Sequence, residues 1–176
     1  GEVTSEALAK LGATVIAVGR NREKSISIVD QIKAKTGNSE VEYMLADFAL
    51  QGEVRKLAET FKSKYNHLHV LVNNAGAVFG RRVETDGVEM TFAVNHLAPF
   101  LLTNLLLDTI KNSAPARIIN VSSLLHSRAK MNFEDLQASG KYSQMDAYGQ
   151  SKLANIFFTY DLATRLEGSG VTVNAL

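Results

Sequence analysis

Residues 71–76, LVNNAG, read as the end of a buried strand that runs into two amides and a glycine. In open α/β sheets ligands bind beyond the carboxyl ends of the strands, which is where such polar groups would lie. Residues 118–123, IINVSS, repeat the arrangement with hydroxyls at the end. Two apolar runs that each deliver hydrogen-bonding groups to the same kind of edge point to a parallel sheet with a ligand site on its rim.

Working outward, helical and strand patterns alternate without a linker or repeat. Helices are expected over residues 2–11, 22–35, 53–65, 88–110 and 145–167, and strands over 14–18, 41–45, 68–72, 116–121 and 171–175. Gly37 stops the second helix. Strands separated by helices of this length specify an α/β fold, a parallel sheet with helices on both faces, in a single domain over residues 1–176. Residues 124–144 form the longest irregular stretch. Loops of that length tend to be functional, so this one is expected to border the substrate.

Composition narrows the function classes. With 176 residues and 45% hydrophobic composition, the chain can bury a sizeable core. Its 19 basic and 18 acidic residues leave a formal charge of +1, which implies no broad attraction to nucleic acid or membrane. Cysteine is absent, which removes disulfides and thiolate metal sites and is compatible with a reducing cytoplasm. No run approaches the ~20 apolar residues that span a bilayer; the greasiest stretch, residues 97–107, is broken by Pro99, Thr103 and Asn104. His67 and His69 have no third ligand beside them, so no metal site is expected. The sequon Asn120-Val121-Ser122 falls in a strand expected to be buried and is discounted.

Tyr148 and Lys152 lie four residues apart within residues 146–160, which read as a helix, and so share a face. A free phenol is too weak an acid for proton transfer at neutral pH, and an ammonium beside it stabilises the phenolate. Alone, the pair reads as a solvated helix face. The two strand ends upstream change that reading, and Asn95, a polar residue amid Phe92, Val94, Leu97 and Phe100, adds to it.

Together Asn95, Ser123, Tyr148 and Lys152 resemble the catalytic tetrad of the short-chain dehydrogenase/reductase family, and NNAG at residues 73–76 fits the same family. The resemblance covers essentially the whole chain, with the motifs in the family's order. VNHLAPFLLTNLLL (residues 94–107), RIINVSSLLH (117–126) and AYGQSKLANIFFTYDLATRL (147–166) look like its retinol dehydrogenase-like branch. So does the long interval from Ser123 to Tyr148, with FEDLQ at residues 133–137.

The resemblance implies a Rossmann-like doubly wound sheet and hydride transfer between a nicotinamide and the carbon of a small, apolar alcohol or carbonyl compound of retinoid, steroid or lipid-aldehyde type. Tyr148 would exchange the proton on oxygen, Ser123 would hydrogen-bond that oxygen, and Asn95 would help anchor a water in the relay. Lys152 would act on the phenol and hold the nicotinamide ribose. Ser123 is taken over Ser122 because the family places its serine second in the pair. The same resemblance implies a homodimer or homotetramer built through the long helices.

The family opens with a strand and a TGxxxGxG loop, of which Gly1 matches the last glycine. The chain is therefore expected to be an internal fragment, truncated at both ends, with a central strand missing between residues 14–18 and 68–72. A membrane anchor in the segment before Gly1 stays open. Arg20 stands where the family reads the ribose, and no acid accompanies it. A guanidinium suits the extra phosphate, so NADP(H) is favoured over NAD(H). Asp47 matches the adenine contact, while Asn74, Ala75 and Gly76 would floor the cofactor site. A non-catalytic dinucleotide-binding sensor or scaffold of the same fold is the alternative.

Overall fold

A computed structural model describes residues 1–176, which divide into two compact units, Gly1–Asp47 and Phe48–Leu176. In the first, helix α1 (Glu2–Lys10) leads to strand β1 (Val15–Gly19), helix α2 (Arg22–Thr36) and strand β2 (Val41–Leu45). β1 and β2 pair in parallel, from Val15 opposite Val41 to Gly19 opposite Leu45. Their shared core is Ala9, Val15, Val29, Ile32 and Val41. Burying a side chain such as Ile32 contributes about 1.5–3 kcal/mol. Asn21 caps α2 by accepting from the Lys24 amide at 2.8 Å, and Gly37 ends it in the left-handed conformation, as its position in the sequence leads one to expect.

The second unit is built on a parallel sheet in the order β3 (Val70–Asn73), β6 (Ala116–Asn120), β7 (Val171–Ala175). Helix α3 (Gln51–Lys64) packs on α5 (Ala98–Lys111), and α6 (Gln144–Arg165) packs on β7. Within its own unit each strand is paired, β1 with β2 and β3 with β6. Between β3 and α5 a two-residue hairpin, β4 (Glu84–Thr85) with β5 (Val88–Glu89), occupies the start of what was expected to be helix. Its turn, Asp86-Gly87, has positive φ at both residues (54° and 73°), the geometry that Asp-Gly favours in tight hairpins.

Helix then runs without interruption from Met90 to Lys111 as α4 (Met90–Phe92), a π-turn (Ala93–Leu97) and α5. Pro99, Thr103 and Asn104 interrupt the apolar run but not the helix, which corrects the expectation that no stretch approaches bilayer-spanning length. The 22-residue run, with a mean hydropathy of 1.4, is long and apolar enough to cross a bilayer. Yet Thr91, Asn95 and Thr103 are fully buried within it, and the latter two bond to Ala77 and Asn73. Those are the contacts of a core helix packed inside its own unit.

Candidate functional site

Four elements of the second unit, β3, β6, α5 and α6, are tied together by side chains near the carboxyl ends of the two strands. Asn73 lies opposite Asn120 in the ladder, and its side-chain amide donates to Asn120 Oδ1 at 2.8 Å and to Thr103 Oγ1 at 3.0 Å. Asn120, 1% exposed, donates in turn to Thr159 Oγ1 at 2.9 Å, and Thr159 donates to the Asn155 carbonyl at 2.7 Å. A buried polar network in which every member is paired locks β3, β6, α5 and α6 into one register.

On that frame, Asn95 holds the loop after β3. Its Oδ1 accepts from the Ala77 amide at 2.7 Å, and its Nδ2 donates to the Ala77 carbonyl at 2.9 Å and to Ser151 Oγ at 3.1 Å. Both polar atoms of the Asn95 side chain are thus committed to protein groups. Gly76 lies against the same cluster: a Cβ there would sit 3.4 Å from Lys152 Nζ and 3.5 Å from Asn95 Oδ1. Asn74 is exposed and Ala75 half-buried, so this loop meets Lys152 through Gly76.

Lys152 is 3% exposed and donates from Nζ to the Val121 carbonyl at 2.8 Å. It forms no ion pair within the chain. Burial lowers its pKa from the usual lysine value. The ammonium lies 5.6 Å from the ring centroid of Tyr148, one helical turn earlier on α6. Tyr148 is half-buried, so part of its side chain stays open to solvent.

The two serines after β6 divide. Ser122 is buried and donates to the Lys152 carbonyl at 2.9 Å, a structural tie between strand and helix. Ser123 is half-buried and caps a 3-10 helix (Leu124–Arg128), its Oγ accepting only the long 3.3 Å bond from the Leu125 amide. That helix packs on α6 at Gly149, where a Cβ would come 3.2 Å from the Ala129 Cβ. Glycine one residue past Tyr148 therefore permits the close approach of the Ser123 segment. His126 turns back to the Ser123 carbonyl, 2.6 Å from Nδ1.

The long loop is pinned on both sides. Gln150 of α6 takes the Asn132 amide at 2.8 Å, while Gln137 takes the Glu89 amide at 2.7 Å. Glu89, 1% exposed, caps α4 by accepting from the Thr91 and Phe92 amides. Sequence reading missed Glu89, Asn155 and Thr159, and gave Asn73 and Asn120 no bonding partners. The Asp86-Gly87 turn could have moved the helix start to Met90, and polar residues four apart at 155 and 159 inside an apolar helix were a signal for buried bonding.

In the first unit, Gly1, Ala17, Gly19, Arg20, Lys24 and Ile28 line a cleft of about 480 Å³. Gly1 caps α1 without a side-chain bond, so the amides of the first turn face no capping group. Arg20 is exposed and outside every ion pair of the chain. At Gly19 a Cβ would fall 2.8 Å from Ser25 Oγ, so a side chain there would have to displace that hydroxyl, which bonds to the Asn21 carbonyl. Asp47 is half-buried, just beyond β2, and does not line this cleft. A helix N-terminus with two free cations fits a phosphate-bearing group, and a buried ammonium beside a glycine fits a hydroxyl-bearing one.

A family model described as short chain dehydrogenase matches residues 1–176. The chain belongs to that family, with its Rossmann-like fold. It is 45% identical to retinol dehydrogenase 12 of Mus musculus over 177 aligned residues, covering 100% of this chain and 56% of the relative. It is also 45% identical to polyprenol dehydrogenase of Homo sapiens over 183, again covering 100% and 56%. The chain thus spans about half the length of the curated relatives it matches. Among solved structures, an uncharacterized protein from Mycobacterium paratuberculosis superposes with a TM-score of 0.87 at 37% identity, covering 99% of this chain and 62% of that one. The Pseudomonas aeruginosa RhlG/NADP active-site complex gives 0.78 at 28% identity, covering 99% and 66%.

Proposed function

We propose that this chain carries the proton-transfer and dinucleotide-binding residues of an oxidoreductase that interconverts an apolar alcohol and its carbonyl compound, with NADP(H) as hydride partner. The observation that carries the reading is the buried Lys152 ammonium, unpaired with any acid and placed over the Tyr148 ring. A cation held out of water beside a phenol favours the phenolate, so Tyr148 can give a proton to a forming alkoxide or take one from an alcohol. When bound, the nicotinamide supplies or accepts the hydride at carbon. Lys152 and the backbone at Gly76 would hold its ribose, Ser123 would hydrogen-bond the substrate oxygen, and Asn95 fixes the loop that presents Gly76. Arg20, with Gly1 and Asp47, is assigned to the adenosine and phosphate end. Retinol and polyprenol, the alcohols in the relatives' names, are both long and apolar, which supports a substrate of that class.

The test is Tyr148→Phe in the intact protein, which removes the transferable proton and keeps the ring. Turnover of an apolar aldehyde should fall by about 1000-fold or more, with NADPH affinity within about threefold of the parent. Near-normal turnover would sink the assignment. Normal dinucleotide binding with no detectable turnover in the parent would favour the sensor reading.

A further inference from the structure

Pro99 stands four residues after Asn95, inside a continuous helix, and has no N–H to give to the Asn95 carbonyl. The π-turn at Ala93–Leu97 relieves the clash that the ring would make with the preceding turn, and the Ala98 amide bonds back to the Ala93 carbonyl. A donor for the Asn95 carbonyl comes from α6: Asn155 Nδ2 lies 2.9 Å from it. The Oδ1 of the same amide accepts at 2.9 Å from Nδ1 of His96, taken as the protonated ring nitrogen. Asn155 is 4% exposed, and the Thr159 hydroxyl bonded to its carbonyl ties it to Asn120.

We propose that Asn155 is a positioning residue for the Lys152 site: it supplies the hydrogen bond that Pro99 withholds and so sets where Asn95 holds the Gly76 loop. The route is short. Asn95 grips Ala77 at both its amide and its carbonyl, and a Cβ on Gly76, the preceding residue, would lie 3.4 Å from Lys152 Nζ. Any shift of the π-turn is passed to Ala77 by two bonds at once. A displacement of about 1 Å at such a site costs on the order of 100-fold in rate. The inference rests on the proton-transfer reading above for its kinetic consequence, but not for its structural one.

The experiment compares the intact parent with Asn155→Ala, Pro99→Ala and the double variant, following turnover of an apolar aldehyde with NADPH and hydrogen exchange at the Ala77 amide. Asn155→Ala should lower kcat by about tenfold or more with KM within about twofold, and speed Ala77 exchange by about tenfold. Adding Pro99→Ala supplies an N–H at position 99 and should restore most of both. Where Asn155→Ala alone does not fold, the comparison passes to Pro99→Ala with and without Asn155→Ala. Matching kcat and matching Ala77 exchange in that pair support the proposal, because the donor is no longer needed. A tenfold deficit in the double variant overturns it, as do parental kcat and exchange in a folded Asn155→Ala. Tyr148→Phe, run alongside, separates the two readings: if it stays active the proton-transfer assignment fails, while Ala77 exchange still decides the role of Asn155.

Discussion

The Lys152 ammonium lies over the ring of Tyr148, 5.6 Å from its centroid, while its hydrogen bond goes to the Val121 carbonyl rather than to an acid. A buried cation left without a counter-charge is costly to the fold, and sites of that kind are where stability is given up for chemistry. Lys152 thus ties the end of β6 to α6, with its charge beside the Tyr148 ring.

That cost has a pH signature. Burial lowers the Lys152 pKa below its ordinary value of 10.5, so between the two values the unfolded chain binds the extra proton. Lysine's penalty is fully present below the lowered pKa and is relieved as pH rises towards 10.5. Parent stability should therefore rise with pH across that window, and Lys152→Met should lack this rise while losing turnover. Denaturant melts at several alkaline pH values check it. Parallel slopes for parent and variant would mean that the charge is not carried at a cost.

Ser122 and Ser123 should separate stability from turnover. Ser122→Ala removes a buried donor and leaves the Lys152 carbonyl short of a partner, a loss of about 1–2 kcal/mol of stability. Ser123→Ala gives up only a long capping bond, so its melting temperature should stay close to the parent's while kcat falls by about 100-fold. Paired thermal melts and kinetics read both effects. The reverse pattern would move the substrate contact to Ser122.

Much of this was legible in the sequence, and the exceptions have physical causes. β2 and β7 fall on the expected residues: β2 sets Glu42 between the apolar Val41 and Tyr43, and β7 opens on the β-branched run Val171, Thr172 and Val173. β3 begins at Val70 rather than Leu68 because the Leu68 amide is taken by Ser113 Oγ at 2.8 Å, a partner 45 residues away. The ladder that sets Asn73 opposite Asn120, and the bond from Asn155 to Asn95 across 60 residues, are tertiary facts that local periodicity does not encode. Motif resemblance marked Gly76, Asn95 and Lys152 separately. The structure adds that Asn95 Oδ1 and Lys152 Nζ both lie within 3.5 Å of where a Cβ on Gly76 would be, and that Ser123 reaches the neighbourhood through the packing of its segment on Gly149.

Filling the space over Lys152 should weaken dinucleotide binding without unfolding the chain. The methyl of Gly76→Ala would sit 3.4 Å from Nζ and 3.5 Å from Asn95 Oδ1, ordinary contact distances that the packing tolerates. It would occupy the place proposed for a ribose hydroxyl. Affinity for NADPH should drop by roughly tenfold, with a melting temperature within about 2 °C of the parent. Calorimetric titration checks this, and unchanged affinity would place the ribose elsewhere.

Arg20 is the clearest test of cofactor choice, because in the first unit it lines the same cleft as Gly1 and Lys24 yet makes no ion pair. An exposed guanidinium that serves no partner in the fold can be removed with little structural consequence, so a change in binding reads its role directly. A charge-assisted bond to phosphate contributes about 1.5–3 kcal/mol. Arg20→Ala should therefore weaken NADPH by roughly tenfold or more and leave NADH within about twofold. Since Lys24 lines the same cleft, its removal in the Arg20→Ala background should lower NADPH affinity further, in a manner that added salt diminishes in the single variant. Binding titrations of both cofactors at two ionic strengths check the set. Equal losses for NADPH and NADH would show that Arg20 does not read the 2′-phosphate, and would leave NADP(H) preference without a residue in this chain to explain it.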